Sequence, residues 1–233
     1  MYISNDKRIK KMNELAWVLG IVLCALGVAL STKANFGLSM IAAPPYIVHV
    51  KLAQILHWYT QGTSEYIWQG FLFLVMLIIV RRFKVKYILS FITAILFGLT
   101  LDVWLAVLGG GAPYEQLWLR ITIYILSQII STLSIAFFFR TSLPTEIYEL
   151  FVIEIAEKFR LDPSRVKLFY DIAMLAMGII LTFLLHGELI GIGIGTVITT
   201  VINAPLISLF GKLLDKIFVF DARFQKLVEF CQK

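Results

Sequence analysis

Charged residues are scarce in this sequence, where they account for only 15% of 233 residues. Soluble domains contain about 25% charged residues and about 45–50% apolar ones. In this chain 59% of the residues are hydrophobic, and the mean hydropathy is +0.85. The composition therefore excludes an ordinary soluble domain and indicates an integral membrane protein. The length allows about six spanning helices of about 20 residues each, which leaves no room for a separate soluble domain.

Cysteine and histidine are also rare, and their positions exclude several kinds of site. Cys24 lies in the first apolar stretch and Cys231 in the C-terminal tail, so we expect neither a disulfide nor a cysteine metal site. The three histidines, at positions 49, 57 and 186, lack the spacing of metal ligands. The sequence shows no phosphate-binding loop and no catalytic set, and we therefore expect no cofactor and no enzymatic activity.

Six long apolar stretches predict six spanning helices in a single membrane domain. These helices occupy about 15–32, 66–80, 87–108, 117–139, 166–185 and 196–214. Two further segments are predicted not to cross: 40–56, which Pro44 and Pro45 interrupt, and the short amphipathic helix 144–159. The tail, 215–233, mixes aromatic and charged residues and is expected to lie along the cytoplasmic surface of the membrane.

The positive charges predict the orientation of the chain. With the N-terminus in the cytoplasm, all but three of the 21 Lys and Arg residues fall on the cytoplasmic side, and the exceptions are Lys33, Lys51 and Arg120. This bias explains the net charge of +6 without a nucleic-acid partner. The bias would be lost if 40–56 also crossed, so we expect this segment to dip into the membrane and return, or to lie at its outer surface.

The six spans divide into two halves of three, about 12–108 and about 117–214, with opposite orientations. Each half has one helix, then a non-spanning segment, then two more helices. The pattern Gly-Val-Ala before Lys33 resembles Ser-Ile-Ala before Arg140. Inverted repeats of this kind occur in many secondary transporters, whose sites lie where the halves meet. The predicted fold is therefore an all-α membrane protein built from two inverted three-helix halves, each with a re-entrant or interfacial segment.

Several motifs give the sequence a resemblance to a bacterial family. They are Leu26-Gly27, Asn-Phe-Gly-Leu-Ser at 35–39, Leu-Pro-Thr-Glu at 143–146, Asp171, and Gly-Ile-Gly-Ile-Gly-Thr at 191–196. On these motifs the chain resembles the YczE/YitT-like integral membrane proteins, most closely the YczE group. The resemblance implies a multi-pass protein of the bacterial plasma membrane, and it implies no particular activity. This chain departs from the family at Met40-Ile41-Ala42, where Pro, an aromatic residue and Asp are frequent, and at Glu146, where Asp is common.

The glycine-rich run 187–195 is the first candidate for a binding site. Glycine is a poor helix former, so the run predicts an unwound start of the last spanning helix. Gly193, Gly195 and Thr196 are predicted to line a substrate site, where free amide groups would favour an anionic or carbonyl group, and Gly191 is predicted to set the turn. The alternative is a tight bend between the last two helices at the outer surface.

Ionisable residues inside predicted spans are further candidates, because they are costly in a membrane. Asp102 is predicted to bind substrate, a cation or a proton; alternatively, it caps the turn at 109–111. Asp171 is a candidate for ion coupling, although pairing with Lys167 four residues earlier is the simpler interpretation.

Four other polar residues complete the predicted substrate site. Lys33 and Arg140, each after the first helix of its half, could hold an anionic substrate or act as anchors at the interface. Asn35 follows Lys33 in a polar break. Asn203, on one face with Thr196, could bind substrate or a neighbouring helix.

The glutamates of the helix 144–159 are not expected to take part in a site. Their positions are 146, 149, 154 and 157. They fall within roughly 140° of arc at 100° per residue, opposite apolar residues. We predict a solvated face on a helix that lies at the membrane surface.

Three functional hypotheses follow from these patterns. The first is a secondary transporter or a small-molecule-binding membrane component. The second is a membrane scaffold or regulatory protein that assists another complex, and the third is a substrate-binding component coupled to a separate ATPase. The expected partners are the lipid bilayer, a small-molecule substrate, and a second copy of the chain or another membrane complex.

The predicted orientation can be tested by cysteine labelling of intact cells. A membrane-impermeant reagent should react with cysteines placed at Gly110 and Gly187 but not with one at Lys84. Strong labelling at Lys84 from outside would mean that 40–56 crosses the membrane, and it would contradict the inverted arrangement.

Overall fold

Helices dominate residues 12–222, which are the residues that the computed structural model describes. Within this range the chain forms α1 (Asn13–Ala34), α2 (Ala43–Leu52), α3 (Gln61–Val80), α4 (Val85–Val107), α5 (Leu117–Phe138), α6 (Ile147–Phe159), α7 (Pro163–His186) and α8 (Ile194–Ile217). No strand occurs among these residues. All helices except α2 and α6 are long and apolar enough to cross a membrane. The predicted six spans are therefore confirmed by length and composition, which indicates a multi-pass membrane protein.

Two sequence predictions concern residues outside this range. The N-terminus before residue 12, predicted to face the cytoplasm, and the part of the amphipathic tail from 223 to 233 are not among the described residues. Residues 215–217, predicted as the start of the tail, belong to α8.

Helix α3 begins at Gln61, five residues before the predicted start at about residue 66. Its first turn therefore consists of residues that were predicted to form a loop. Thr60 caps the helix, because its hydroxyl accepts a hydrogen bond from the Thr63 amide at 3.0 Å. Residues 61–65, predicted as a loop, are instead helical and buried. Glu65 and Gln69 consequently lie one turn apart on the same face of α3.

The proline pair starts helix α2. Pro44 and Pro45 occupy the first turn, where no intrahelical N–H bond is lost and the fixed φ suits a helix. The pair therefore begins a ten-residue helix instead of breaking one. Helix α2 is not among the helices long enough to cross a membrane, which agrees with the prediction for 40–56.

The helices pack around α1 and α5, which lie side by side. Helix α4 packs on α1, α8 on α5, α2 on α7, α6 on α3, and α3 on α4, whereas the described helices α7 and α8 do not contact each other. Helices α1, α4 and α7 end where α3, α5 and α8 begin, and we call this the glycine end because it holds the run 187–193. The opposite end, which holds 81–84 and Arg140, is called the basic end.

Helix α6 packs against α3 with Glu154 on its buried face and Glu146 buried at its start, so the predicted solvated face of glutamates is wrong. Glu146 and Glu154 are only 4% and 2% exposed, although Glu157 is exposed. The chain before α6 also runs inward, because the Pro144 carbonyl accepts a hydrogen bond from the Trp17 indole at 2.9 Å. The prediction failed because an amphipathic pattern shows only that one face of a helix is polar. It does not show whether that face meets water or polar groups of the protein.

The packing of α3 on α4 depends on Gly98. A Cβ added at Gly98 would lie 2.5 Å from the Gly62 carbonyl oxygen, whereas one added at Gly70 would meet only the edge of the Phe91 ring, at 3.2 Å. We expect Gly98→Ala to destabilise the protein by about 1–3 kcal/mol, because the backbone must move. Gly70→Ala should destabilise the protein less, because the Phe91 side chain can turn away from the added methyl group. Thermal unfolding of both purified variants checks this, and equal losses would contradict it.

Candidate functional site

At the glycine end, the loop after α1 meets the glycine run before α8. The Leu38 amide donates a hydrogen bond to the Gly191 carbonyl at 2.9 Å, and the Gly195 amide donates to the Phe36 carbonyl at 2.7 Å. The run stays non-helical until Ile194, so the predicted unwound start of the last helix is confirmed. The two hydrogen bonds join segments that are far apart in the chain.

Glycines at this junction allow two backbones to touch. Gly37 and Gly191 have φ values of +106° and +73°, in the left-handed region that favours glycine. A Cβ added at Gly193 or Gly195 would lie 2.5 or 2.7 Å from the Phe36 carbonyl oxygen. The missing side chains therefore serve the contact between the loops, and alanine at either position would disturb that contact as well as any bound molecule.

An open depression of about 460 Å³ lies beside this contact. Its lining consists of 35–37, Tyr46 and 189–194. The volume falls in the range of about 300–1,000 Å³ that is usual for small-molecule sites. Of the predicted substrate residues, Asn35 and Gly193 line the depression, whereas Gly195 and Thr196 are buried next to it. The Thr196 hydroxyl accepts a hydrogen bond from the Gly193 amide at 3.2 Å.

Lys33 and Asn203 are predicted substrate residues that do not line the depression. Lys33 is 4% exposed, and its ammonium lies 4.5 Å from the centroid of the Tyr114 ring, a cation–π contact within the protein. Asn203 lies two turns beyond Thr196 on α8. Its amide oxygen is buried without a hydrogen-bond partner among the described residues.

Arg120 and Tyr124 support the junction from α5, and sequence analysis did not include them in the site. The Arg120 guanidinium donates hydrogen bonds of 2.8 Å to the carbonyls of Ala34 and Asn35, at the end of α1. The Tyr124 hydroxyl donates to the Gly195 carbonyl at 2.7 Å. Helix α5 therefore holds the end of α1 and the start of α8 together.

Asp102 holds the start of α3. Its carboxylate accepts hydrogen bonds from the Thr60 hydroxyl at 2.6 Å and from the Gly62 amide at 2.8 Å. The dipole of α3 favours a negative charge at this position. The predicted capping of the turn at 109–111 is therefore wrong, because Asp102 caps a different helix.

Arg140 and Asp171 lie on the α5 and α7 segments near the basic end, away from the depression. The Arg140 guanidinium forms a two-pronged ion pair with Asp215 of α8, with N–O distances of 2.6 and 2.7 Å. Asp171 pairs with Lys167 at 2.8 Å, which confirms that interpretation. The predicted residues are thus not brought together in one site, since Lys33 and Arg140 lie at opposite ends of the bundle.

A pair of buried acidic residues lies where α3 meets α6, and sequence analysis included neither of them in a site. Glu65 and Glu146 are 1% and 4% exposed, and neither forms an ion pair with another described residue. One signal was present in the sequence. Glu65 and Gln69 form a polar stripe with a spacing of four residues in an otherwise apolar stretch, but Glu65 was assigned to a loop.

Neutral polar groups hold the two acids in place. The Gln69 side-chain nitrogen donates a hydrogen bond to Glu146 Oε2 at 2.9 Å, and the Tyr148 hydroxyl donates to Glu65 Oε2 at 2.8 Å. Burial, together with the nearby charges of Glu149 and Glu65, raises the pKa of Glu146 well above its ordinary range. This arrangement favours a protonated Glu146 that can take up and release a proton when its surroundings change.

Glu154 is buried in a contrasting environment at the other end of α6. Lys86 and Lys84 lie 2.5 and 3.0 Å from its carboxylate, and the Tyr87 hydroxyl donates to it at 2.5 Å. Burial raises the pKa of Glu154, but the hydrogen bonds from Lys86, Tyr87 and Lys84 outweigh it and hold that pKa below the ordinary value. The α6 segment thus carries a neutral acid at one end and an anion at the other.

Replacement of Glu154 should destabilise the protein in a pH-dependent way. Glu154→Gln removes the carboxylate partner of Lys86 and leaves Lys84 with only the exposed Glu157, at 3.4 Å, and we expect a loss of about 1–3 kcal/mol at neutral pH, since both lysines are partly exposed. Because the folded-state pKa of Glu154 is lowered, the wild-type advantage is full above the ordinary value of about 4.3 and disappears as the pH falls through the folded-state pKa. Unfolding of both proteins across this pH range measures the difference, and a loss that does not change with pH would contradict the ion pairs.

Sequence comparison assigns the chain to a family. Residues 11–212 match a family of unknown function, DUF6198. No curated protein and no solved structure matches the chain. Because the match covers most of its length, this protein belongs to the DUF6198 family.

Proposed function

We propose that the protein is a secondary transporter of the bacterial plasma membrane that moves a small polar solute together with a coupling ion. The observation that carries the proposal is the pair of buried carboxyl groups, Glu65 and Glu146, without a cation partner among the described residues. Intramembrane ionisable groups are costly and mark ion or proton pathways in transporters. We place ion coupling at this pair instead of at Asp102, whose hydrogen bonds hold α3.

Two inverted halves, about 12–108 and 117–214, are supported by the way in which the helices pair. The contacts of α4 with α1 and of α2 with α7 have counterparts in those of α8 with α5 and of α6 with α3. A pseudo-two-fold axis that exchanges the halves, and α1 with α5, would produce these matching contacts. In this arrangement α2 and α6 belong to the re-entrant segments of their halves.

The halves differ in their last two helices. Helices α3 and α4 pack on each other, whereas in their counterparts, α7 and α8, no Cα atom of one helix lies within 8 Å of a Cα atom of the other. Alternating access moves one repeat against the other around a fixed site. We take the space between α7 and α8 as the open side of the transporter in this conformation.

The solute site in this proposal is the depression at the glycine end, where the loops of the two halves meet. Asn35, Tyr46 and the backbone of 191–193 offer hydrogen-bonding groups around it. The depression contains no charged side chain in its lining, which favours a small polar solute over a strongly charged one. By the distribution of Lys and Arg, the glycine end faces outward and the basic end faces the cytoplasm.

One of the motifs on which the resemblance to the YczE/YitT-like proteins rests lies at the proposed solute site. The motif Gly-Ile-Gly-Ile-Gly-Thr, at 191–196, supplies part of the depression and its contact with 36–38. In this proposal the chain is neither an enzyme nor the carrier of a cofactor, and solute binding and ion coupling are its two tasks.

A component of a larger membrane complex is the second candidate function. The observation that favours it is the exposure of α7 and α8, since only 22% and 17% of the residues in the most apolar stretch of each helix are buried. Mild-detergent purification followed by native mass spectrometry separates the two candidates. A stoichiometric ATPase or another membrane protein, with no uptake by the isolated chain, would favour the complex.

The acidic pair gives the transporter proposal its test. Thermal-shift screening of the purified protein against a metabolite library first identifies the solute, and uptake into proteoliposomes is then measured under ion gradients. Glu65→Gln and Glu146→Gln should reduce gradient-driven uptake to the level of empty vesicles, because a glutamine side chain cannot ionise and so cannot release a coupling proton or hold a cation by its charge, while solute-induced stabilisation remains. Glu157→Gln is the matched control, because Glu157 is an exposed glutamate of α6, and this variant should retain uptake. Full uptake in both buried variants would refute the role of the pair.

A further inference from the structure

Three buried polar atoms near the acidic pair lack a hydrogen-bond partner among the described residues. They are Glu65 Oε1, the Trp68 indole nitrogen and the Tyr170 hydroxyl. An orphaned buried group costs about 1–3 kcal/mol. Native proteins usually satisfy such groups with ordered water or a ligand, so a cluster of them indicates a bound molecule.

The three groups come from α3 and α7, and α6 completes their surroundings. Glu65 and Trp68 lie one turn apart on α3. Tyr170 is 7% exposed, and its ring packs on Phe151 of α6 at a centroid distance of 5.3 Å. The Tyr170 hydroxyl lies within the electrostatic reach of Glu65 but forms no hydrogen bond to it, and a water molecule between the two groups would connect them.

From Tyr170, acidic groups continue toward the basic end. Glu149 of α6 and Asp171 of α7 both act on the Tyr170 hydroxyl, and Glu149 also interacts with Asp171 and Lys167. Side-chain exposure rises along this path to 24% for Asp171 and 37% for Lys167. The path therefore leads from a fully buried carboxyl group to partly exposed residues near the basic end.

We infer that internal water bound by Glu65, Trp68 and Tyr170 carries the coupling proton between Glu65 and the Glu149–Asp171 pair. This inference rests on the proposed function and assigns its coupling ion as the proton. The Glu65 carboxyl group gives its proton to a water molecule, and a proton passes along the water and the Tyr170 hydroxyl to the Glu149 carboxylate. Each transfer breaks one O–H bond and forms another, and no electron donor or acceptor is required.

The chemistry of the groups favours a proton over a metal cation. The Trp68 nitrogen carries a hydrogen and cannot ligate a cation, but it can donate a hydrogen bond to water. The titratable groups that face Glu65 are Tyr148 and Glu146 of α6, Tyr170 of α7 and Cys24 of α1. None of them is a cation, and no charged group of α2 or α4 acts on Glu65. The Glu65 carboxyl group therefore has no counter-ion among the described residues.

Infrared difference spectroscopy of the purified protein tests the relay, with D₂O as the probe. A buried protonated carboxyl group gives a separate carbonyl band, and its loss in Glu65→Gln assigns that band to Glu65. The band shifts when the proton exchanges for a deuteron, and the rate of this shift reports access to the group. We expect Tyr170→Phe and Glu149→Gln each to slow the exchange by about tenfold or more.

Tyr66→Phe is the matched control, because Tyr66 follows Glu65 on α3 but its ring lies against Gly98 of α4. It should keep the wild-type rate. An unchanged rate in both relay variants, or the absence of a Glu65 band at neutral pH, would overturn the inference. If Tyr170→Phe fails to fold, Glu149→Gln decides the outcome. If the exchange rates show an intact relay but the protein takes up no solute, the transporter proposal is refuted and the proton relay is not.

Discussion

The side-chain amide of Gln69 fixes the start of α6 against α3, and the position of Glu146 depends on it. Its oxygen accepts a hydrogen bond from the first amide of α6, Ile147, at 3.0 Å, and its nitrogen donates to Glu146 at 2.9 Å. The first amides of a helix lack intrahelical partners, and inside a bundle they need another group. One side chain of α3 thus satisfies the start of α6 and positions a carboxyl group away from water.

The elements that could be predicted from the sequence are those set by local patterns. Spanning helices follow from long apolar stretches, and the unwound run at 187–193 follows from glycine content. The pairing of Asp171 with Lys167 follows from helical spacing. Each of these features depends on residues that are close in the chain, so no knowledge of tertiary contacts was required.

The buried acids could not be predicted because their partners are distant in the chain. Glu146 lies on an amphipathic segment, and only the contact with Gln69, 77 residues away, shows that its polar face meets protein. Glu65 follows several polar residues that look like a loop until Thr60 is recognised as a helix cap. Conversely, Asp102 lies inside an apolar span and is nevertheless structural, because the start of α3 supplies its donors.

Helix α7 is the element that connects the acidic pair with the depression. Toward the basic end it carries Tyr170, whose hydroxyl lies within the electrostatic reach of Glu65. Toward the glycine end its Thr182 hydroxyl accepts a hydrogen bond from the Ile190 amide at 2.8 Å, and Ile190 lines the depression. Helix α8, by contrast, is fixed to α5 near both ends, by Tyr124 and by Arg140. Because α7 does not contact α8, a shift of α7 would alter the surroundings of Glu65 and the shape of the depression together, which is the coupling that a secondary transporter requires.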